Sequence, residues 1–585
     1  MLKKWFYEFE EDDRIQVYLT NTLDPFETHG HIPFFRELTE ESKIADDVKL
    51  KKPILVVLGN PPYSVSSSNK SQWILEKMQD YKRNLNERNI RPLSDDYIKF
   101  IRFAQWKIEQ NERGIIGIIT NNRYLDGIIH RQIRKSLFNA FNRIYILNLH
   151  GSSRRTIETE GMQKDENVFD IQQGVAITIF IKNNKFNDKK IFYTDLYGDR
   201  QYKYSWLDRT ILNAVEWLEI VPQAPYYFFI PKDTSLQKQY NDFQALNEIF
   251  NIQSVGVKTS RDDFVVAFSA LDLENNMSLF NSNETDEYVM DYFHLKNTGD
   301  WNLKEARDQF KKIDYAKYVK KYAYRPFDIR LICYSKILVD RPREAFMHNF
   351  DYPNLSLITS RLLSGNEYNH AVVTQNITDM SLLSTKSESI PIFPLYIYDD
   401  RSRDVTQFGL DSNIANSEAA RLTNFNENFV EFINNLYKNH KIASEEIFSY
   451  IYAVLYSPTY RVSFREHLKI DFPRIPFTKD YELFKKLSEL GQELVNLHLL
   501  KTKLTTITKF DVQGSNIVTS VKYTDQRAYI NKTQYFDGIP SNVWDFRLGA
   551  YQVLDKWLKS RKNRELGSVE IELRQCRDRT FPTSC

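Results

Sequence analysis

No apolar stretch in the chain approaches the roughly 18–20 residues needed to cross a bilayer, which argues against a helical membrane span. The amino terminus, Met1-Leu2-Lys3-Lys4-Trp5-Phe6, runs straight into Glu8, Glu10, Glu11, Asp12 and Asp13 and leaves no room for the apolar core of a secretory signal. Cysteine is scarce: Cys333, Cys576 and Cys585 are too scattered for a zinc knuckle or a disulfide framework. An excess of one charge is also missing. Lys plus Arg number 79 against 77 Asp plus Glu, a formal charge of +2, so any nucleic-acid surface must be local. Together these absences predict a soluble protein of the reducing cytoplasm that binds no metal.

What is present is length and apolar content. At 585 residues the chain is too long for one ordinary domain and predicts two to four. A hydrophobic share of 42%, with 14% aromatics, supports real cores. Ile15 to Leu19 alternates polar and apolar residues before Thr20-Asn21-Thr22-Leu23-Asp24-Pro25, which reads as a strand entering a loop. Ile54-Leu55-Val56-Val57-Leu58 has no polar alternation and reads as a strand buried on both faces. Ser64 to Lys70 is small and polar, equally compatible with a flap over a site and with a plain solvated loop.

From Asp95 to Asn111 apolar residues recur at three and four, an amphipathic helix, with Gly114 in the position of a helix stop. A strand at 115–119, a helix carrying His130, Arg131, Arg134 and Lys135, and strands at 144–149 and 174–181 follow. Strand alternating with helix is the pattern of a parallel α/β sheet. Past about residue 205 the aliphatic strands thin out and Tyr, Phe and Asn rise, so two domains are expected, 1–205 and 206–585.

The most informative segment is Gly59-Asn60-Pro61-Pro62-Tyr63, directly after the strand at 54–58. In parallel sheets ligands bind beyond the carboxyl ends of strands, where this turn falls. The prolines stiffen the loop and donate no hydrogen bonds, leaving carbonyls free to accept. Asn60 offers an amide oxygen and Pro61 a carbonyl, two acceptors for an exocyclic amine with two N–H groups. Such an amine is a poor nucleophile because its lone pair is delocalised into the ring, and acceptors on its protons draw that pair outward. Tyr63 supplies a flat face on which an unstacked base can rest. The alternative is a rigid surface turn without chemistry.

Asn60-Pro61-Pro62-Tyr63 resembles the catalytic motif of S-adenosylmethionine-dependent amino-methyltransferases, of which adenine-specific DNA methyltransferases are the largest group; enzymes acting on protein glutamine and some RNA bases share it. The resemblance implies a Rossmann-like methyltransferase sheet, with Asp24 near the donor's adenine ring. Farther along, Gly256 to Phe264, Tyr324-Arg325-Pro326-Phe327-Asp328, Asp340-Arg341-Pro342-Arg343, Asp471 to Phe477 and Val543 to Arg547 resemble the specificity region of type ISP restriction-modification enzymes. That resemblance covers about residues 1–570 and implies a large α+β target-recognition domain for double-stranded DNA. Arg261, Arg325, Arg341 and Arg343 are then candidates for phosphate or base-edge contacts, since the guanidinium fork matches both. Each could instead pair with a nearby acid such as Asp262, Asp328 or Asp340.

One expected part is missing from the sequence: there is no Gly-x-Gly, so the glycine-rich loop that approaches the donor's methionine end is not seen. The expectation is therefore a methyltransferase entered partway, its donor half supplied by an upstream chain, or else a DNA-specificity module or gene remnant without chemistry. A protein-glutamine methyltransferase ranks behind both, because those enzymes are compact and carry no large recognition domain.

Overall fold

The computed structural model describes residues 17–18, 20–24, 44–63, 67–85, 87, 89–152, 165–233, 235–363, 368–384, 390–399, 420–502 and 508–567. These form two compact units, 1–233 and 234–585. The boundary expected near residue 205 falls inside a helix of the first unit, Arg200–Arg209.

The first unit is built on a six-stranded sheet: β1 (Val56–Gly59), β2 (Arg113–Asn121), β3 (Arg143–His150), β4 (Val175–Asn183), β5 (Lys190–Asp195) and β6 (Leu218–Ile220), in the order β1-β2-β4-β3-β5-β6. β1 runs parallel to β2 and β3 parallel to β5, while β4 lies antiparallel between β2 and β3. The sheet is thus mixed, where the strand–helix alternation predicted a parallel one. β1, β2, β3 and β5 nonetheless all point the same way, and their carboxyl ends share one edge.

Helix α1 (Asp96–Glu109) confirms the amphipathic reading: Ile98, Ile101 and Ile108 are buried with Ile116, Ile118 and Phe180 of the sheet. Gly114 is not its stop; the helix ends at Glu109, and Gly114 lies in β2, where a Cβ would stand 2.8 Å from Ile108 Cδ1. In α2 (Arg131–Ala140), Arg134 is fully buried and donates to the carbonyls of Tyr124, Gly127, Tyr226 and Tyr227. Burial pushes its guanidinium down to about 9. Such a side chain ties α2 to a distant loop and is not part of a basic surface.

β1 departs from its expected burial. On one side it pairs with β2; on the other no strand pairs with it among the described residues, and Leu55, Val56 and Leu58 are exposed, Leu58 by 77%. The apolar run is real, but here it forms an open sheet edge. Of the expected strand at 15–19, Val17 and Tyr18 have no regular structure and 15, 16 and 19 lie outside the described residues.

The second unit holds two four-stranded sheets. The strands of these two sheets are β7 (Ser254–Val255), β8 (Val266–Ala267), β9 (Val319–Arg325), β10 (Asp328–Cys333), β11 (Ser356–Ile358), β12 (Val372–Thr374), β13 (Ile377–Thr378) and β14 (Pro391–Pro394), ordered β13-β9-β10-β8 and β12-β11-β14-β7. A turn at Pro326-Phe327 closes the β9–β10 hairpin, with Phe327 at a φ of 55°. Helices α3 (Ser444–Tyr456) and α4 (Tyr481–His498) pack against this core. α3 ends where Ser457-Pro458 starts a new helix, Pro458–Ser463, since proline cannot donate within a helix. Gly491 of α4 is needed because any Cβ would fall 1.9 Å from the Ser449 carbonyl oxygen of α3. Cys333 is buried and its thiol is pushed up to about 12 by that burial; Cys576 and Cys585 lie outside the described residues.

Candidate functional site

The turn that follows β1 stands at the shared carboxyl edge of the parallel strands. Asn60 and Pro62 are exposed, Pro61 is buried and Tyr63 is half-buried. Burial of Pro61 anchors the corner while its neighbours face outward. The Tyr63 hydroxyl donates at 3.3 Å to Asn60 Oδ1 and at 3.4 Å to the Ile119 carbonyl at the end of β2. Both are long for an O–H donor, so this contact is weak and a better donor displaces it from the Asn60 oxygen. Burial pushes the Tyr63 phenol up to about 12, which keeps it a neutral donor at ordinary pH. Its ring meets Tyr97 edge to face at 6.3 Å and packs between two apolar clusters, one under α1 and one around Leu147, Val168 and Val175.

The segment after the corner is pinned. Residues 64–66 lie outside the described residues, but Ser67 Oγ bonds Asp96 Oδ1 at 2.5 Å, Lys99 Nζ reaches Ser67 Oγ at 2.6 Å and Asn69 Nδ2 reaches Asp96 at 3.0 Å. The turn leading to Asp24 is tied to this same segment, through Asn21 Nδ2 to Asn69 Oδ1 at 3.1 Å and Ser71 Oγ to the Leu23 carbonyl at 2.8 Å. The turn that carries Asp24 is thus tied through Asn69 to Asp96 of α1, the helix whose Tyr97 meets the Tyr63 ring.

Sequence reasoning missed a relay across the neighbouring strand ends. Asn122 Nδ2 donates to Asn148 Oδ1 at 3.0 Å, and Asn148 Nδ2 to the Tyr193 hydroxyl at 2.9 Å. Tyr193 in turn bonds Asp195, which meets His150 Nε2 at 2.6 Å. His150 stacks on Tyr197 at 4.0 Å. Burial, reinforced by Asp195, holds the Tyr193 phenol well above its ordinary value. Beyond it, fully buried Lys203 gathers the Leu149 carbonyl (2.7 Å), Asp165 (2.6 Å) and the Glu166 carbonyl (2.6 Å). This fixes the return into β4 and brings Phe169 and Ile171 onto the apolar cluster that Tyr63 also touches. The available signal was an apolar run closing in a polar residue at each strand end.

The corner supplies acceptors for an amine, but the described residues include no glycine-rich loop through which a methyl donor's methionine end could be approached, and the sequence holds no Gly-x-Gly. A donor pocket does not fit within these residues alone.

In the second unit, Arg261, Arg341 and Arg343 are drawn together. Lys258 and Arg341 form an antiparallel bridge, and Arg261 Nη1 donates to the Leu338 carbonyl at 2.9 Å while its guanidinium lies 3.8 Å over the Trp301 ring. Arg341 and Arg343 are exposed. Arg325 is set apart: only 13% exposed, it pairs with Asp379 at 3.0 Å. The acids near in sequence are taken by others. Asp340 receives Lys258 and Ser260, Asp262 receives Thr259 and Tyr324, and Asp328 receives Arg330 and Arg561.

Residues 248–579 match the family described as the type ISP C-terminal specificity domain. The chain belongs to the type ISP restriction-modification family. Residues 16–154 of this type ISP chain match the Eco57I restriction-modification methylase family, so the corner at 60–63 falls in a methylase region. Comparison with curated protein sequences gave no match. Among solved structures, a nuclease-deletion mutant of the type ISP enzyme LlaGI with a DNA substrate mimic is 22% identical over 93% of this chain and 51% of that one, with a TM-score of 0.65. The ATP-dependent type ISP enzyme LlaBIII bound to DNA is 21% identical over 95% and 38%, TM-score 0.67, and the DrdV–DNA complex 21% over 90% and 54%, TM-score 0.64. At these identities the likeness is one of fold. The type ISP chain spans about half or less of the length of these solved proteins. No helix among its described residues is long and apolar enough to cross a membrane.

Proposed function

We propose that this chain carries the acceptor-base half of an adenine-N6 DNA methyltransferase together with the domain that selects its DNA site. The observation that carries the reading is the exposed Asn60 amide beside buried Pro61, at the carboxyl edge of four parallel strands with Tyr63 alongside. An extruded adenine would give its two amine protons to Asn60 Oδ1 and the Pro61 carbonyl, in place of the weak Tyr63 contact, and rest on the Tyr63 ring. Tyr63→Ala is expected to weaken base capture by about 1–3 kcal/mol. The check is 2-aminopurine fluorescence at the target base with methylation rates beside it; unchanged capture removes Tyr63 from this role.

S-adenosylmethionine supplies the methyl group when bound. Its pocket would be completed by strands added along the exposed edge of β1, from an upstream segment or partner chain, with Asp24 facing the donor's adenine. A second reading, a DNA-specificity module without chemistry, is favoured by one observation: the donor loop is not among these residues. Methyl transfer on adding the donor-binding segment separates the two.

Arg341 and Arg343, exposed beside the Lys258–Arg341 bridge, are the leading duplex contacts, with Arg261 beside them. Replacing both with Ala is expected to weaken duplex binding and to flatten the slope of log affinity against log salt by about 1.8 if each holds one phosphate. A mobility-shift series across salt reads the slope; an unchanged slope with relaxed sequence preference assigns them to base edges instead.

A further inference from the structure

A cleft of about 500 Å³ opens in the second unit beside β9, β10 and β12, at the carboxyl end of α4. Its size falls within the usual range for small-molecule sites, roughly 300–1,000 Å³. Lys321, Arg325 and Arg330 line it, and among the described residues no Asp or Glu does. The carboxylates that balance the two guanidiniums, Asp379 and Asp328, are not among its lining groups. Arg325 Nε is buried and has no acceptor among the described residues. A charged donor left unmatched is costly, and this guanidinium is satisfied in part only, through Nη1 by Asp379 and the Tyr324 carbonyl.

Apolar residues and polar side chains make up the rest of the lining. Phe327 and Leu499 contribute apolar surface, and Gln375 and Asn376 bring side-chain amides that make no hydrogen bond to another described residue. His498, also in the wall, is held neutral by burial, which pushes its imidazole down to about 3. A bare anion would leave the apolar wall and the amides unused. An apolar ligand would leave the cations unmatched. A flat heteroaromatic ring bearing a phosphate uses all three features, because guanidinium matches phosphate and an amide can both donate to and accept from a base edge.

We propose that this cleft is a nucleotide-binding site: Arg325 and Lys321 hold the phosphate, Gln375 and Asn376 meet the base edge, and Phe327 and Leu499 cover its face. The nucleotide would come either from solution or from a strand of bound DNA. Because it involves no methyl donor, the proposal stands or falls independently of methyl transfer.

The test is equilibrium dialysis of the full chain against each deoxynucleoside 5′-monophosphate, inorganic phosphate, the unphosphorylated nucleosides and a single-stranded heptanucleotide. At least one mononucleotide is expected to bind about tenfold or more tightly than phosphate or its own nucleoside. Lys321 and Gln375 are exposed, so the double variant Lys321→Ala, Gln375→Ala should fold normally and lose about tenfold or more in affinity. Arg325→Met should lose more, and if loss of its Asp379 pairing prevents folding, the double variant still decides. Heptanucleotide binding weakened by the double variant, without mononucleotide binding, assigns the site to DNA. The proposal is overturned if phosphate binds as tightly as any mononucleotide, if the double variant binds like the unaltered chain, or if neither nucleotide nor oligonucleotide binds.

Discussion

Asn60→Ala is expected to lower methyl transfer by on the order of 10²–10³, measured with the donor-binding segment present, while leaving duplex affinity nearly unchanged. The size follows from what the amide does. An acceptor placed where charge develops on the reacting amine acts only in the transition state, and loss of one such preorganised group costs about 10²–10³ in rate. Asn60 is exposed and its described contact is the 3.3 Å bond from Tyr63, so truncation has little structure to disturb. Single-turnover rates with saturating DNA, read beside a binding isotherm, separate the two effects. A parallel fall in binding and rate would make Asn60 a structural residue of the corner.

The second large effect is on stability. Asp328 is 2% exposed and receives Arg330 at 2.8 Å and Arg561 at 3.0 Å, both nearly buried, with Arg561 also 3.6 Å over the Trp557 ring. Asp328→Ala would leave two guanidiniums in the interior without their anion, a loss expected to cost about 3–5 kcal/mol. The pH dependence has a definite sign. Burial alone would raise the Asp328 carboxyl, but Arg561 and Arg330 outweigh it and hold the group below its ordinary value. Its stabilisation is therefore complete above the unfolded carboxylate value, about 4, and is lost as pH falls through the lower folded value. Hydrogen exchange of β9 and β10 reads this locally. Unchanged protection in the variant would show that the two arginines find other partners.

The fold was legible where apolar period and run length decide it. α1, β2, β3 and β4 fall within a few residues of expectation because Ile-rich runs and a three-and-four repeat leave few alternatives. Direction was not legible: the residues of β4 read the same whichever way the strand runs, and only pairing with β2 and β3 makes it antiparallel. The run at 54–58 read as buried on both faces, yet Leu55, Val56 and Leu58 are exposed, for a related reason. An apolar strand reports what it packs against in the assembled sheet, not which neighbours this chain brings. Arg134 looked like one more cation on a basic helix, yet the carbonyls of Tyr226 and Tyr227 take it inside. At the candidate site, Asn60–Tyr63 was visible because the motif is local and contiguous. The Asn122–Asn148–Tyr193–Asp195–His150 relay joins the ends of three strands distant in sequence, and the Arg325–Asp379 pair joins neighbouring strand regions of one sheet; only folding reveals either.

The most direct measurement of the central claim, that the Asn60-Pro61 corner activates an exocyclic adenine amine, is nucleoside analysis by mass spectrometry of DNA incubated with this chain, the donor-binding segment and S-adenosylmethionine. N6-methyladenine that disappears with Asn60→Ala is the predicted result. Methyl groups found only on cytosine, or N6-methyladenine formed equally well without the Asn60 amide, would contradict it.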